Sequence, residues 1–116
     1  MAREVVKRRT GVNRGEVWLH TFKPPDKRRP VVVLTPPELT DMLGAVMVAP
    51  ITSTIRGAPS EVVVGVDEGL ERESVVNLNY IQTVDKSKLQ RFVGSLDATK
   101  MQQVGRAMAI ATGCSD

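Results

Sequence analysis

Two polar segments of the chain have residue types that could bind and react with a phosphodiester. Each contains three polar residues in a row: Lys27, Arg28 and Arg29 in the first, and Thr52, Ser53 and Thr54 in the second. Arginine guanidinium groups bind phosphate oxygens in a bidentate manner, and hydroxyl groups add short hydrogen bonds to the same oxygens. A site that combines them would favour the phosphodiester and the more highly charged state that it reaches during reaction.

RNA would suit such a site, because RNA carries its own nucleophile, the 2′-hydroxyl group. Orienting that hydroxyl in line with the phosphate and stabilising the resulting charge requires neither a metal ion nor a covalent side chain. Aromatic residues make up only 3% of the chain, so binding mainly by base stacking is not expected. The local features alone leave an alternative open, in which Arg28 and Arg29 merely solvate a loop and Thr52 caps a turn.

Other catalytic chemistries find little support in the sequence. His20 is the only histidine, and neither a metal-ligand spacing nor a G-x-S-x-G motif accompanies it. The glycines are scattered singly, which argues against a phosphate-binding glycine loop. We therefore predict no metal ion and no cofactor, and we expect His20 to be a packed or surface residue.

The elements that must position the two polar segments are strands. The basic segment directly precedes the apolar run PVVVLT, residues 30–35, and the hydroxyl segment begins at the end of AVMVAPIT, residues 45–52. Both runs lack alternation, which favours strands buried on both faces. If the two strands pair in antiparallel fashion, the start of the first lies beside the end of the second, and the polar segments share one rim.

Four further segments are predicted strands: GEVWLHTF at 15–22, SEVVVGV at 60–66, SVVNLNYIQTV at 74–84 and a short strand at 92–96. The third of these is predicted to be continuous and to alternate its side chains between two faces. The members of one face are Val76, Leu78 and Tyr80, and those of the other are Asn77 and Asn79.

Residues 97–113 change to a helical period, with an apolar stripe formed by Met101, Val104, Met108 and Ala111. Asp97 is the predicted N-cap and Gly113 the C-terminal stop. We expect Gly105 to permit close packing against the sheet. Five to seven short strands followed by one helix predict a mainly β (β+α) fold, a small closed or nearly closed β-barrel with a C-terminal α-helix.

Charge is distributed unevenly along a chain whose 116 residues suit one domain, predicted for 14–116. Residues 1–30 contain nine Lys or Arg and three acidic residues, a net charge of +6, whereas the remainder sums to −3. This asymmetry indicates an anionic partner, although residues 1–13 could equally be a flexible basic lead that is only solvated. A single cysteine, Cys114, and the lack of a signal peptide or membrane-length apolar run favour a soluble, cytoplasmic protein.

Six segments occur in an order and spacing that are highly specific when taken together. They are RGEVWL at 14–19, RRPVVVL at 28–34, VAPITS at 48–53, PSEVVV at 59–64, GLERESVVNL at 69–78 and IQTVDKSKL at 81–89. Over residues 13–111 this pattern resembles the MazF/PemK toxins, the ribonuclease components of bacterial toxin–antitoxin pairs.

The resemblance implies a small SH3-like β-barrel of the MazF/PemK/CcdB type, assembled as a homodimer. It implies a metal-independent, sequence-specific endoribonuclease that cleaves single-stranded RNA, usually mRNA, to 2′,3′-cyclic phosphate and 5′-hydroxyl ends and thereby inhibits growth. It also implies a cognate antitoxin, whose disordered acidic segment enters the RNA groove and suppresses cleavage.

The site residues follow from the same resemblance. The family's catalytic arginine stands immediately before the proline of the second strand, which here is Arg29, and its hydroxyl partner corresponds to Thr52. Arg29 would transfer a proton and stabilise the transition-state charge, and Thr52 would hydrogen-bond the scissile phosphate. The remaining candidate RNA contacts are Lys27, Arg28, Ser53, Thr54, Arg56, Asn77, Asn79 and Gln82.

Two segments depart from the family pattern. The loop KPPDKRRP at 23–30 lacks the G-[SH]-E-Q segment of many relatives, which leaves Asp26 as the only acid nearby. A D-Q-[IV]-R run of the family reads Asn-Tyr-Ile-Gln at 79–82, and Asn79 cannot act as a base. The general base therefore stays open, as does the choice for Tyr80 between burial and base stacking.

Two other functions are compatible with the sequence. One is a toxin of the same fold that poisons DNA gyrase without cutting nucleic acid, which would not need the Arg29–Thr52 pair. The other is a catalytically silent regulator that only binds RNA or an antitoxin, an idea that the shortened loop supports.

Overall fold

The computed structural model describes residues 11–21 and 28–114. Its strands and helices are β1 (Glu16–Thr21), β2 (Arg28–Val33), α1 (Pro37–Leu43), β3 (Ala45–Thr52), β4 (Glu61–Val64), β5 (Ser74–Asn77), β6 (Gln82–Asp85), β7 (Leu89–Ser95) and α2 (Ala98–Thr112). Three short 3-10 segments are Val66–Glu68, Leu78–Tyr80 and Lys86–Lys88. The predicted class, mainly β with a C-terminal helix, is confirmed. Among these residues, no helix has the length and hydropathy needed to cross a bilayer.

Several predictions fall on parts of the chain that lie outside the described residues. They concern most of the basic lead, of which residues 1–10 are outside, and the loop residues Asp26 and Lys27. The lead and the RNA contact assigned to Lys27 therefore stay predictions.

β3 is the central strand of a seven-stranded antiparallel sheet. The strand order is β4-β5-β3-β2-β1-β7, and β6 joins β3 beside β5. Because β3 is eight residues long, one of its edges accommodates two short partners. β6 pairs along Ala45–Val48, and β5 pairs at Ile51 and Thr52. The other edge pairs with β2, so the carboxyl end of β3 lies between the start of β2 and β5.

The prediction of a closed or nearly closed barrel is wrong in its closure, because the ladder of the described strands ends at β4 on one side and at β7 on the other. Backbone packing spans the gap instead. A Cβ on Gly94 of β7 would clash with the carbonyl oxygen of Glu68, and a Cβ on Gly69 would lie 2.6 Å from the carbonyl oxygen of Val93. The two glycines thus allow the turn after β4 to lie directly against β7.

β2 and β3 bury side chains on both faces, as their unbroken apolar runs predict. The first face, here called the helix face, carries the cluster Val17, Val32, Leu34, Ala49, Ile51, Val62, Val64, Val76, Leu78, Leu96, Val104 and Ala107. The second, here called the cleft face, carries the cluster Val12, Val31, Val33, Val46, Val48 and Leu89, with Trp18 and Val84 packed against it. Alternate residues of one strand therefore reach different environments.

α2 packs on the helix face through the predicted stripe. Its members Met101, Met108 and Ala111 are partly buried there, and Val104 is fully buried. The Oδ1 atom of Asp97 accepts a hydrogen bond from the backbone N–H of Lys100 at 2.8 Å, and the helix ends at Gly113 with a φ of 74°, so both predicted ends are confirmed. The role expected of Gly105 is wrong, because a Cβ there would meet no neighbour from the described chain within 4 Å.

The segment predicted as one continuous strand at 74–84 is divided into β5, the 3-10 segment Leu78–Tyr80 and β6. The reason lies in how both strands pair with β3. Val76 pairs with Ile51, whereas Gln82 pairs with Val48, so the chain advances six residues while β3 advances three. The 3-10 segment takes up the surplus. Its N-cap is Asn77, whose side chain accepts a hydrogen bond from the backbone N–H of Asn79 at 3.0 Å.

Candidate nucleic-acid cleft

Strand register brings Arg29 and Thr52 together on the cleft face. In the β2–β3 ladder Val31 pairs with Pro50, and the same antiparallel register, continued by two residues, sets Arg29 opposite Thr52. Both residues have the same parity as Val31 and Pro50, so their side chains emerge on the same side of the sheet. The two polar segments therefore do share a rim, which is lined by Arg29 of the first segment and by Thr52 and Thr54 of the second.

A cleft of about 360 Å³ lies at this rim. Its lining consists of Arg29, Pro50, Thr52, Thr54, Arg56, Asn77, Tyr80 and Gln82. These residues provide two guanidinium groups, three hydroxyl groups and two carboxamides, and none of the described lining residues is acidic. Such a lining favours an anion and can bind phosphate, sugar and base groups.

The hydroxyl group of Thr52 is oriented by its own turn. Its Oγ1 atom accepts a hydrogen bond from the backbone N–H of Thr54 at 3.1 Å. Because the oxygen already accepts this hydrogen bond, the hydroxyl group is free to act as a hydrogen-bond donor to a ligand. A donor directed into the cleft next to Arg29 suits a non-bridging phosphate oxygen.

Arg56 is carried by the loop between β3 and β4, and Glu61 at the start of β4 organises that loop. One carboxylate oxygen of Glu61 accepts hydrogen bonds from three consecutive backbone N–H groups: Arg56 at 3.2 Å, Gly57 at 2.9 Å and Ala58 at 3.3 Å. The acidic side chain thus supports the basic one without lining the cleft itself.

The third wall of the cleft comes from β5, the 3-10 segment and β6. Asn77 uses its Oδ1 atom to cap the segment, which leaves its Nδ2 amide as the available donor. Gln82 follows on β6, opposite Val48. Tyr80 ends the segment and is 65% exposed, so of the alternatives left open for it, burial in the core of this chain does not apply.

Two candidates of the polar segments do not line the cleft, and strand alternation explains why. Arg28 has the parity of Pro30, and Ser53 has the parity of Ile51, so both belong to the helix face. Pro30 and Ser53 in fact line a second concavity there, with Leu19 and Leu70. The sequence alone treats the three residues of each segment as equivalent, whereas the sheet separates them.

Asn79 is also absent from the cleft lining. Its side-chain amide donates a hydrogen bond to the Oγ atom of Ser60 at 2.8 Å, which connects the 3-10 segment to the end of the β3–β4 loop. Its position indicates support of the cleft wall rather than contact with a ligand. The sequence analysis missed the capping hydrogen bond between Asn77 and Asn79, because both residues also fit the alternating pattern of a continuous strand.

His20 is a neighbour of Arg29 that sequence analysis did not place near the site. The two residues pair across β1 and β2, and His20 is only 7% exposed. Burial, and secondarily the positive charge of Lys88, lower the pKa of His20 below its usual 6.5. At neutral pH His20 is therefore a neutral imidazole at the strand position paired with Arg29. In the described part of the chain no group of three or more His, Cys, Asp or Glu residues could hold a metal ion.

Fold and cleft together define a small, mainly β protein with a cationic cleft suited to a phosphodiester. The chain belongs to a particular family of such proteins, because the family profile described as "PemK-like, MazF-like toxin of type II toxin-antitoxin system" matches residues 13–112. The family predicted from the six sequence segments is thereby confirmed.

Individual relatives agree with this assignment. Endoribonuclease MazF3 of Mycobacterium tuberculosis (strain ATCC 25618 / H37Rv) is 40% identical over 86 residues, which cover 74% of this chain and 84% of that protein. The structure of M. tuberculosis toxin MazF-mt6 is similar with a TM-score of 0.80 and 34% identity, and covers 87% of this chain and 99% of its own. A structure described as an endoribonuclease in complex with its cognate antitoxin, from Mycobacterial species, also has a TM-score of 0.80, and the match covers 90% of this chain and 98% of that chain. Because the identity is 23%, this similarity shows the fold alone.

Proposed function

We propose that this protein is the toxin of a type II toxin–antitoxin pair and that it is a metal-independent endoribonuclease acting on single-stranded RNA. The observation that carries the proposal is the placement of Arg29 and Thr52 on one face of adjacent strands, in a cleft whose described lining has no acidic residue. Relatives that are named endoribonucleases support the activity.

The proposed reaction is a transesterification within the RNA. The 2′-oxygen attacks phosphorus, the bond from phosphorus to the 5′-oxygen breaks, and the products are a 2′,3′-cyclic phosphate and a 5′-hydroxyl group. One proton leaves the 2′-hydroxyl for water, and one proton reaches the departing 5′-oxygen. Charge builds on the non-bridging oxygens between these events, and fixed donors stabilise it best.

Arg29 and Thr52 have distinct roles in this scheme. An arginine is protonated at neutral pH, so Arg29 acts as a donor: it stabilises the charge on the phosphate, supplies the proton to the 5′-oxygen and regains a proton from water. Thr52 donates its hydroxyl proton to a non-bridging oxygen, since its oxygen already accepts from the backbone of Thr54. Arg56, Asn77 and Gln82 bind the neighbouring nucleotides.

We further propose that the cleft explains inhibition by an antitoxin. An acidic, disordered segment carries the same charge as RNA and would compete for Arg29 and Arg56. A structural neighbour was solved with its cognate antitoxin, which supports a partner of this kind for the present fold. The homodimer implied by the family resemblance is part of the same proposal. Sedimentation of the purified protein in an analytical ultracentrifuge tests it, and the expected mass is that of two chains.

The experiment uses the pure protein, an RNA of known sequence and EDTA, with fragment ends mapped and their phosphates identified. We expect discrete cuts that bear a cyclic phosphate. Arg29→Ala and Thr52→Val should each lower kcat by about 10²-fold or more, the usual cost of losing one transition-state donor. Thr52→Ser keeps the hydroxyl group and should retain most activity.

Arg28→Ala is the matched comparison, because it removes the same charge from the adjacent residue on the other face. We expect a loss of about fivefold or less, as for a surface charge. Equal losses in the Arg28 and Arg29 variants would contradict the assigned site. No cleavage of a diverse RNA pool by the folded wild-type protein would overturn the ribonuclease function.

A further inference from the structure

Tyr80 is the exposed aromatic residue of the cleft, and none of the roles assigned above uses it. Its side chain is 65% exposed, although a tyrosine ring is largely apolar. The other rings of the described chain are occupied differently: Trp18 and Phe92 contact each other edge to face, with centroids 5.9 Å apart. Tyr80 instead lies among polar and cationic lining residues, including Arg29 and Arg56.

The backbone that carries Tyr80 is fixed from two sides. Leu78, two residues earlier, is buried in the helix-face cluster, and its N–H donates to the carbonyl oxygen of Ser60 at 3.0 Å. The side chain of Asn79 donates to the Oγ atom of Ser60 at 2.8 Å. A ring on such a segment loses little freedom when it binds a flat partner, which favours binding.

We propose that Tyr80 is the platform on which one nucleobase of the RNA substrate stacks, and that this stacking sets which phosphate lies between Arg29 and Thr52. The inference rests on the proposed ribonuclease function and adds a residue that positions the substrate. The chemistry favours a base: the guanidinium groups bind backbone phosphates, and the ring offers a π-face on which the flat π-face of a base stacks. With one ring in the cleft, stacking fixes the register and the cations supply most of the affinity.

The test measures binding of the whole protein to a short RNA that matches its mapped cleavage site, made with 2′-O-methyl groups so that it cannot be cut. Tyr80→Phe keeps the ring and should bind within about twofold of wild type. Tyr80→Leu keeps an apolar side chain without the ring and should bind about 5- to 150-fold more weakly, the range for one stacked base. On cleavable RNA its KM should rise by a similar factor, with kcat changed much less, because Tyr80 touches no reacting atom.

An abasic scan separates stacking from a structural effect. In the wild-type protein, removal of the base at one position should weaken binding by the same factor as Tyr80→Leu. In Tyr80→Leu the same abasic RNA should bind no more weakly than the intact RNA, because the two changes remove one interaction. Phe92→Leu, which removes a half-exposed ring outside the cleft, is the control and should leave binding and the abasic pattern as in wild type.

The outcomes are distinct. If every abasic RNA binds the wild-type protein within about twofold of the intact RNA, or if the abasic penalty persists in Tyr80→Leu, the role of Tyr80 is overturned while the ribonuclease function stands. If the wild-type protein neither binds nor cuts RNA, the proposed function itself fails. Because the scan on the wild-type protein needs no variant, poor folding of Tyr80→Leu cannot rescue the inference.

Discussion

Glu61 holds the loop that carries Arg56, and its replacement should loosen that loop while leaving the sheet intact. Its carboxylate accepts three consecutive backbone N–H groups, the shortest at 2.9 Å from Gly57. Side chains that cap backbone N–H groups in this way stabilise a helix start by about 0.5–2 kcal/mol relative to alanine. Two of the three Glu61 contacts are solvent-exposed and the one with Ala58 is partly buried, so we expect Glu61→Ala to favour opening of the loop by about 1 kcal/mol, which is near fivefold.

Native-state hydrogen exchange measures this opening at each amide. The amide protons of Arg56 and Gly57 should exchange about fivefold faster in Glu61→Ala, whereas that of Val76 in the β3–β5 ladder should keep its wild-type rate. Glu61→Gln keeps an acceptor without the charge, so its exchange rates at Arg56 and Gly57 should lie between those of the wild type and those of Glu61→Ala. The KM for RNA should rise in the same order, because a mobile Arg56 binds the substrate less well.

Unchanged exchange at Arg56 and Gly57 in Glu61→Ala would refute the idea that the carboxylate orders the loop. Faster exchange at Val76 as well would show a loss of global stability and would equally contradict the local role. Glu71→Ala removes an exposed carboxylate from the turn before β5 and serves as the matched control. It should reproduce the wild-type rates at both loop amides.

Three further predictions concern stability. Gly94→Ala should lower the free energy of unfolding by about 1–3 kcal/mol, because its Cβ would clash with the backbone of Glu68. Gly105→Ala should raise it by about 1 kcal/mol, because the helix there has room for a methyl group. Urea denaturation measures both, and changes of the same sign would contradict the packing described. The lowered pKa of His20 means that the unfolded chain binds a proton more readily, so stability is lost as pH falls below 6.5. His20→Asn should flatten the slope of stability between about pH 7 and pH 5; an unchanged slope would refute this assignment.

The parts of the fold that could be predicted are those in which a local pattern has one physical meaning. The unbroken apolar run at 30–35 can remove all its side chains from water only if both faces of the strand are buried, and β2 is buried on both faces. The stripe from Met101 to Ala111 required a helix packed on one side. The 74–84 segment was different, because Asn77 reads as the polar member of an alternating strand whether or not it caps a turn.

The members of the cleft could be predicted only in part, for a reason of geometry. Side chains alternate along a strand, so one step in register decides whether Arg28 or Arg29 faces the cleft. Composition cannot make that choice, and the family resemblance made it for Arg29 and Thr52 alone. Ser53 was grouped with Thr52 as its neighbour in sequence, although the sheet places the two hydroxyl groups on opposite faces.

The wall of the cleft opposite Arg29 has its origin in the length of β3. One edge of β3 pairs with both β5 and β6, and the chain between them has three more residues than the ladder can use. Those residues cannot pair, so they leave the sheet as the 3-10 segment that ends in Tyr80. The same mismatch that interrupts the strand therefore puts an aromatic ring and the capping Asn77 beside the carboxyl end of β3. A deletion that restored one continuous strand would be expected to keep Arg29 and Thr52 opposed and yet remove the surface against which the RNA is held.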